Sequence, residues 1–379
     1  MIGIHRRNSY KDDYSNMNVK NIIMREPKRI LKILILINLI ISMANCNYKD
    51  EIRFKSFPIE VEIASTTLPL NKNYHNSFIA IVDSLLLIIC PYSTTNFVHI
   101  YNKNNLQHIK SFCHKGKGPN EISMIGPYSL DKKNKNFWIV DFSRNSVWKY
   151  ALDSLLKNLH YEPVITRIPR DFYPIMSIAN FNSESLIVPD PLGKHLVSIF
   201  NSDGKLLKNF GLKNFQGVRS NGLFSELSRF HISIHPEKEK LVVVYRHVDI
   251  ISVYDLNNED ELISLLGPDK IEIKNQLKLS DGELITAYDG VAYLCDDYIF
   301  APYHGKLIFT ISDNNIDIVY PNEIHVFNWE YEPVMKLILD HQFCSFVVDR
   351  PNGRLIAFAV DSEENIVSYD IEQLLETNK

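Results

Sequence analysis

Cys113 to Ile122 reads CHKGKGPNEI, with two glycines, two lysines, a proline and a glutamate in ten residues, the makings of a phosphate cradle. A loop of the GxxxxGK[ST] kind works by converging backbone N–H groups on the anion between a buried strand and a helix N-terminus. Here Gly118 is followed by Pro119, which removes a donor, and no Ser or Thr follows a Gly-Lys pair. The residues after Ile122 have strand texture and no amphipathic helical period. The stretch is therefore expected to be a connector whose glycines supply unusual backbone angles.

Other chemistry is sparse. The run HISIH sets His231, Ser233 and His235 on one strand face, a spacing open to a metal, but no third ligand accompanies them and a structural role is expected. DNNID at Asp313 begins like a calcium loop, yet Ile318 stands where the loop needs glycine and Ile324 where it needs its last carboxylate. HExxH, GxSxG and the Rossmann glycine fingerprint are missing, which disfavours the enzymes built on them. No metal site and no resident cofactor are expected. Cys90, Cys295 and Cys344 end apolar runs and Cys113 opens the glycine loop; none forms a CxxC, and inert buried thiols are expected of the first three.

These residues need a scaffold, and 379 residues at 45% hydrophobic and 11% aromatic content can bury a large core. A net charge of -4 argues against nucleic acid as partner, and Lys132, Lys133 and Lys135 read as a solvated turn. The N-terminus reads differently. Arg25, Lys28, Arg29 and Lys32 precede the apolar run Ile33 to Ala44, which is short for a spanning helix and right for a signal peptide. Met24 opens a signal of ordinary length, so residues 1–23 are read as an over-long start.

After residue 58 the chain consists of short runs of Ile, Val, Phe and Tyr broken by Asn, Asp, Gly and Lys, an all-β texture. The runs repeat as an apolar strand, a polar turn, a second strand ending in an aromatic, and a turn rich in Asn and Asp. Tyr101, Tyr150, Phe200 and Tyr254 close the first four units at intervals of 49, 50 and 54 residues, and Tyr369 closes the sixth. The fifth unit is taken as YIFAPYHGKLIFTISDNN, without the aromatic, with an extra segment from Pro268 to Gly282 before it. A period near 50 with about four strands is the pattern of a β-propeller, and six blades fill the 334 residues from Cys46 onward. The last unit supplies only three strands. Ile59 to Ser65, which alternates Ile59, Val61 and Ile63 with Glu60 and Glu62, is expected to complete it and remove two open edges.

The loop GKGPNEI and the ending IHVFNWEYEPVMKLILDHQFCSFVVDRPNGRLIAFAV resemble the six-bladed TolB-like propeller lipoproteins of Bacteroidetes-type bacteria, whose common loop reads roughly Gly-x-Gly-Pro-x-Glu-Phe. Ile122 stands in place of the Phe. The resemblance covers residues 58 to 375 and implies an all-β, six-bladed propeller in the cell envelope, closed by an N-terminal strand. The basic, apolar and small residues ending at Cys46 likewise resemble a bacterial lipoprotein signal, in which the cysteine is lipidated; Met43 and Asn45 depart from its pattern. The implied organisation is a signal region over 1–45, a lipidated cysteine and polar tether over 46–57, and a propeller over 58–379. Lys49, Asp50 and Glu51 are similar to a surface-export signal, so the periplasmic and outer surfaces both stay open.

In a propeller the connectors between blades and the turns between second and third strands open on one face. That face is expected to gather Tyr92, Lys117, Glu121, Asp141, Arg144, Asp190, Lys194, Arg246, His247, Tyr303, His304 and Asp361. Two functions remain open. One is a monomeric, membrane-anchored binding module for a glycan, peptide or protein. The other is a metal-dependent hydrolase or lactonase, with calcium and the carboxylates of Asp141, Asp190 and Asp361. The binding reading is preferred because no carboxylate set with Asn or His stands out.

Overall fold

The computed structural model describes residues 49–376, except 71, 191–194, 213–228, 236, 259–261, 269–284 and 313–314. The apolar run before Ala44, Cys46, Lys194 and Asp313 lie outside the described residues. No helix among the described residues is long and apolar enough to cross a membrane.

Three strands open the described chain: β1 (Lys49–Arg53), β2 (Glu60–Ile63) and β3 (Thr66–Thr67). Blade 1 follows with β4 (Phe78–Val82), β5 (Leu85–Ile89), β6 (Asn96–Asn102) and β7 (His108–His114). Blade 2 holds β8 (Ile125–Asp131), β9 (Asn136–Asp141), β10 (Ser146–Ala151), helix α1 (Leu152–Lys157) and β11 (Val164–Arg167). Blade 3 is β12 (Ala179–Asn182), β13 (Ser185–Pro189), β14 (His195–Asn201) and β15 (Leu206–Leu212). Blade 4 is β16 (Phe230–His235), β17 (Lys240–Tyr245), β18 (Ile250–Asp255) and β19 (Leu262–Leu266). In blade 5, β20 (Thr286–Tyr288) and β21 (Tyr293–Leu294) share the inner position beside β22 (Tyr298–Lys306). A separate hairpin, β23 (Phe309–Ser312) and β24 (Asn315–Ile318), precedes the outer pair β25 (Glu323–Asn328) and β26 (Pro333–Leu339). Blade 6 has β27 (Phe343–Asp349), β28 (Arg354–Ala359) and β29 (Ile366–Asp370), followed by α2 (Glu372–Glu376).

Six apolar cores, one at each blade-to-blade interface, close these sheets into a six-bladed β-propeller. The sixth joins blade 6 to blade 1 through Val347, Ile356 and Phe358 against Ile79, Leu86 and Ile88. In β5, Leu86 and Ile88 pack toward blade 6 while Leu87 and Ile89 pack toward blade 2. A strand buried on both faces cannot alternate with polar residues, which is why the second strands read as unbroken apolar runs.

The repeat seen in the sequence has a physical basis in each blade. The aromatic closing the third strand pairs with the second residue of the second strand: Tyr101 with Leu86, Tyr150 with Phe137, Phe200 with Leu186, Tyr254 with Leu241 and Tyr369 with Leu355. Blade 5 obeys the same rule through Phe327 and Ile299. The sequence-based unit was therefore misplaced there, because the hairpin β23–β24 imitates a third strand and delays the real one. In five blades an Asn or Asp follows the aromatic, and its side chain accepts a backbone N–H two residues on, as Asn102, Asn201, Asp255 and Asp370 do, or four residues on, as Asn328 does. The ring buries its edge in a core, and the neighbouring side chain turns the strand back.

Closure differs from the expectation in its details. β3 completes blade 6, with Thr67 opposite Val367 and Thr66 opposite Ser368. The segment expected there instead joins blade 5: β2 lies parallel to β26, Glu60 opposite Lys336 and Ile63 opposite Leu339, with Lys336 Nζ 2.8 Å from Glu60 Oε2. Its Ile59, Val61 and Ile63 pack on the core between blades 5 and 6, so the alternation correctly marked one buried face. Residues 49–57, expected as tether, also belong to the ring. β1 lies parallel to β19 of blade 4, and Phe54 and Phe57 are buried in the core between blades 4 and 5. A belt thus runs along the outer edges of blades 4, 5 and 6.

One buried charged network reinforces the seam where blade 6 meets blade 1. Asp349, fully buried, accepts from Lys103 Nζ of blade 1 at 2.6 Å and from Arg354 Nε at 3.0 Å, while Arg354 Nη2 donates to the Lys103 carbonyl at 3.0 Å. Burial works against the Asp349 charge, but the bonds from Asn352, Lys103 and Arg354 outweigh it and hold the carboxyl below its ordinary value.

Candidate functional site

Antiparallel order places the turns between second and third strands and the connectors between blades on one face, termed upper, and the other turns on the lower face. The glycine loop is the connector from β7 to β8 and belongs to the upper face. It does cradle an anion, but its own. Gly118 N–H donates to Glu121 Oε2 at 2.8 Å, and a Cβ on Gly116 would stand 1.9 Å from that same oxygen. Neither Gly116 nor Gly118 has a positive φ, contrary to the expectation of unusual backbone angles; a side chain at Gly116 would instead push the Glu121 carboxyl out of its place in the loop. Arg144, from the next blade, locks the loop from outside through the carbonyls of Glu121 at 3.0 Å, Lys117 at 3.1 Å and Gly118 at 2.7 Å. Ile122 is fully buried between blades 1 and 2, an apolar plug as Phe would be.

The other candidate residues divide into support and surface. Asp141 is buried at the end of β9, where its Oδ1 accepts from the backbone N–H and hydroxyl of Ser143 at 3.0 and 2.5 Å. Asp361 accepts from Gln342 N–H at 3.0 Å and meets His341 Nδ1 at 2.9 Å, tying two upper-face turns together. Asp190 is half-buried in the turn after β13. Tyr303 is only 4% exposed, its ring stacked on His325 at 4.0 Å and 18°. His247 and His304 are buried too, His304 between the carbonyls of Lys306 at 3.0 Å and Val319 at 2.9 Å. Tyr92, by contrast, is 73% exposed. Asp141, His247, Tyr303 and His304 therefore build the face from beneath and do not present themselves on it.

A charged group that the sequence reading passed over sits in the upper part of the channel. Asp289, between β20 and β21, lies 3.6 Å from Arg246 Nη2, and its charge acts on His231, His247, His304, Tyr320 and Cys344 from three blades. Burial holds the imidazoles of His231, His247 and His304 below their ordinary values, while the Asp289 charge acts in the opposite sense. Asp289 is followed by Gly290 at φ 127°, in the midst of an inner strand. A glycine inside a strand pattern marks a bulge or close approach, and that was the available signal.

His231 and His235 lie toward opposite ends of β16, His231 near Arg246 and Asp289, His235 at 3.5 Å from Asp296 on the lower side. Among the described residues no three His, Cys, Asp or Glu side chains gather closely enough to hold a metal ion. The cysteines at 90, 113, 295 and 344 are unpaired thiols, and burial pushes Cys90 up to about 11 and Cys113 and Cys344 up to about 12. On the lower side Lys132 of blade 2 reaches across to blade 5, its Nζ 2.7 Å from Tyr293 Oη and 4.1 Å above that ring.

The family model described as TolB-like 6-blade propeller-like matches residues 53–351. The chain belongs to this TolB-like family. No curated protein matches its sequence. Among solved structures, this TolB-like propeller is similar to a Bacteroides fragilis protein named for expected export, at 11% identity and TM-score 0.56, covering 85% of this chain and 99% of that one. A member of the DUF4221 family from Bacteroides vulgatus is similar at 11% identity and TM-score 0.50, over 81% of this chain and 95% of its own. Identities this low establish the shared fold and nothing of the ligand.

The exposed apolar side chains of the TolB-like ring are unevenly spread. Phe78, Tyr92, Met124, Tyr173, Met176, Leu307, Phe309 and Ile318 all stand on upper-face turns, connectors or strand ends. The lower ends of the outer strands carry Ile109, Val164, Ile165, Leu206 and Leu207, and Leu159 stands on the lower turn before β11, so among the described residues it is the exposed Tyr, Met and Phe that are confined to the upper side. Phe309 and Ile318 face each other across the hairpin that interrupts blade 5.

Proposed function

We propose that this TolB-like propeller is an exported, lipid-anchored binding module of the bacterial envelope, with its upper face as the contact surface for a protein or peptide partner. The observation that carries the reading is that the large exposed Tyr, Met and Phe side chains among the described residues, Phe78, Tyr92, Met124, Tyr173, Met176 and Phe309, all stand on that one face. Apolar patches on a water-soluble surface mark interaction sites, and aromatic residues, Met and Arg are the types enriched in protein interfaces. Arg246, partly exposed at the channel mouth, adds a directional donor beside this apolar set. Export and anchoring rest on the basic and apolar N-terminus ending at Cys46, with the name of the Bacteroides fragilis protein in agreement.

The test is a capture experiment from envelope extract, followed by a glycan array. Tyr173→Ala with Met176→Ala should weaken capture by about 1 to 3 kcal/mol, while Lys133→Ala on the lower face should leave it unchanged. Loss with the lower-face variant alone would overturn the surface assignment. Glycan binding without protein capture would replace the partner class. Labelled palmitate should enter the wild type and not Cys46→Ala; equal labelling would remove the lipid anchor.

A further inference from the structure

The start of the belt carries information about how an anchored molecule stands. β1 is parallel to β19, with Lys49 opposite Leu262 and Arg53 opposite Leu266. β19 comes up from a lower-face turn and ends at Leu266, and Gly267 begins an upper-face connector. A parallel partner runs the same way, so Lys49 marks the lower-face end of the outer edge of blade 4. From there the chain leads away, through Phe54 and Phe57 into the core between blades 4 and 5 and on to blades 5 and 6.

We infer that the anchored protein stands with the lower rim of blade 4 against the lipid surface and its upper face turned away from it. This rests on the reading of Cys46 as the lipidated residue. Two residues, Asn47 and Tyr48, separate Cys46 from Lys49, and the three Cα-to-Cα steps reach at most about 11 Å in extended chain. The strands that separate the two faces are five to seven residues long in blade 1, roughly 17 to 23 Å. The anchor is therefore long enough to seat the lower rim and too short to bring the apolar upper face down to its own membrane. The hydrogen-bonded register of β1 prevents that reach from lengthening unless the strand peels away. The membrane serves the lower rim as partner, and the upper face is left to a partner approaching from the aqueous side.

The experiment places one bioorthogonal fluorophore at Lys238, in the lower turn of blade 4, or at Tyr92, on the upper turn of blade 1. The lipidated protein is reconstituted into phosphatidylethanolamine and phosphatidylglycerol vesicles that carry a headgroup spin label. Position 238 should be quenched strongly and position 92 no more than in vesicles without spin label. Equal quenching, or stronger quenching at position 92, overturns the orientation. A parallel preparation couples Cys46 chemically to a maleimide lipid, with the partly exposed Cys295 and Cys344 changed to Ser. If natural lipidation fails but this preparation keeps the quenching order, the anchor reading is wrong and the geometry stands; if it loses the order, the geometry is wrong.

Discussion

Replacing Phe57 by alanine separates a structural belt from a tether. Phe54 and Phe57 are each 7% exposed, whereas Lys55 and Ser56 between them are open to solvent. The Phe57 ring lies 4.5 Å from His325, 5.5 Å from Phe327 and 5.2 Å from Phe54, at angles of 50° to 68°. Truncating a buried Phe in a closed core costs about 3 to 5 kcal/mol, from lost transfer energy and the cavity left behind. Here the belt lies at the outer edge and can partly collapse, which brings the expected cost of Phe57→Ala to about 2 to 4 kcal/mol. Phe54→Ala should cost a similar amount. The double variant should fall short of the sum by about 0.5 to 1.5 kcal/mol, since both singles remove the same edge-to-face pair. Lys55→Ala should stay within about 0.5 kcal/mol of the wild type. Urea unfolding with linear extrapolation reads all four, and unchanged slopes confirm that native stability was altered. If Phe57→Ala and Lys55→Ala unfold at the same urea concentration, residues 49–57 are a tether after all.

The seam and the buried imidazoles give two further expectations. Asp349→Ala should cost about 3 to 5 kcal/mol by leaving Lys103 buried without its partner, and Lys103→Met with Asp349→Leu should recover part of it. Because the Asp349 carboxyl is held below its ordinary value, its contribution is complete above about pH 4 and is lost as pH falls through the folded value; an unaltered acid limb in Asp349→Ala would refute the network. His325, 2% exposed, is held by burial down to about 3, with Lys336 adding to the effect. The unfolded chain therefore takes up a proton below about pH 6.5 that the folded ring refuses, and stability falls with pH through that window. His325→Phe, which keeps the stack on Tyr303, should gain about 2 kcal/mol on the wild type between pH 7.5 and pH 5. A difference that is the same at both pH values counts against this account.

Blade count and strand texture were legible because each blade repeats a local chemical necessity. A second strand buried on both faces must be continuously apolar, and the strand after it ends in an aromatic that closes the core, usually with an Asn or Asp that turns the chain. The glycine loop was legible as a connector for a similar reason, since Pro119 and the missing helix already excluded a phosphate cradle. Its filling was not. That Glu121 turns back on Gly116 and Gly118, and that Arg144 from the next blade holds the loop shut, depends on contacts across a blade boundary.

The same limit applied to the belt. The alternation of Ile59, Val61 and Ile63 determines that one face is buried, but an edge strand can satisfy that on any blade with an open edge; the packed ring selected blade 5 and left blade 6 to Thr66 and Thr67. The turn position of His247 followed from the repeat, but Tyr303 and His304, expected on a turn, lie inside β22, which the inserted hairpin of blade 5 lengthens, and the burial of all three followed from blade packing. Sequence alone determined the periodic features, because they are answered within one blade. Tertiary structure decided which edges pair, which side chains of the upper face remain exposed and where the chain enters the ring, because each of those depends on surfaces belonging to different blades.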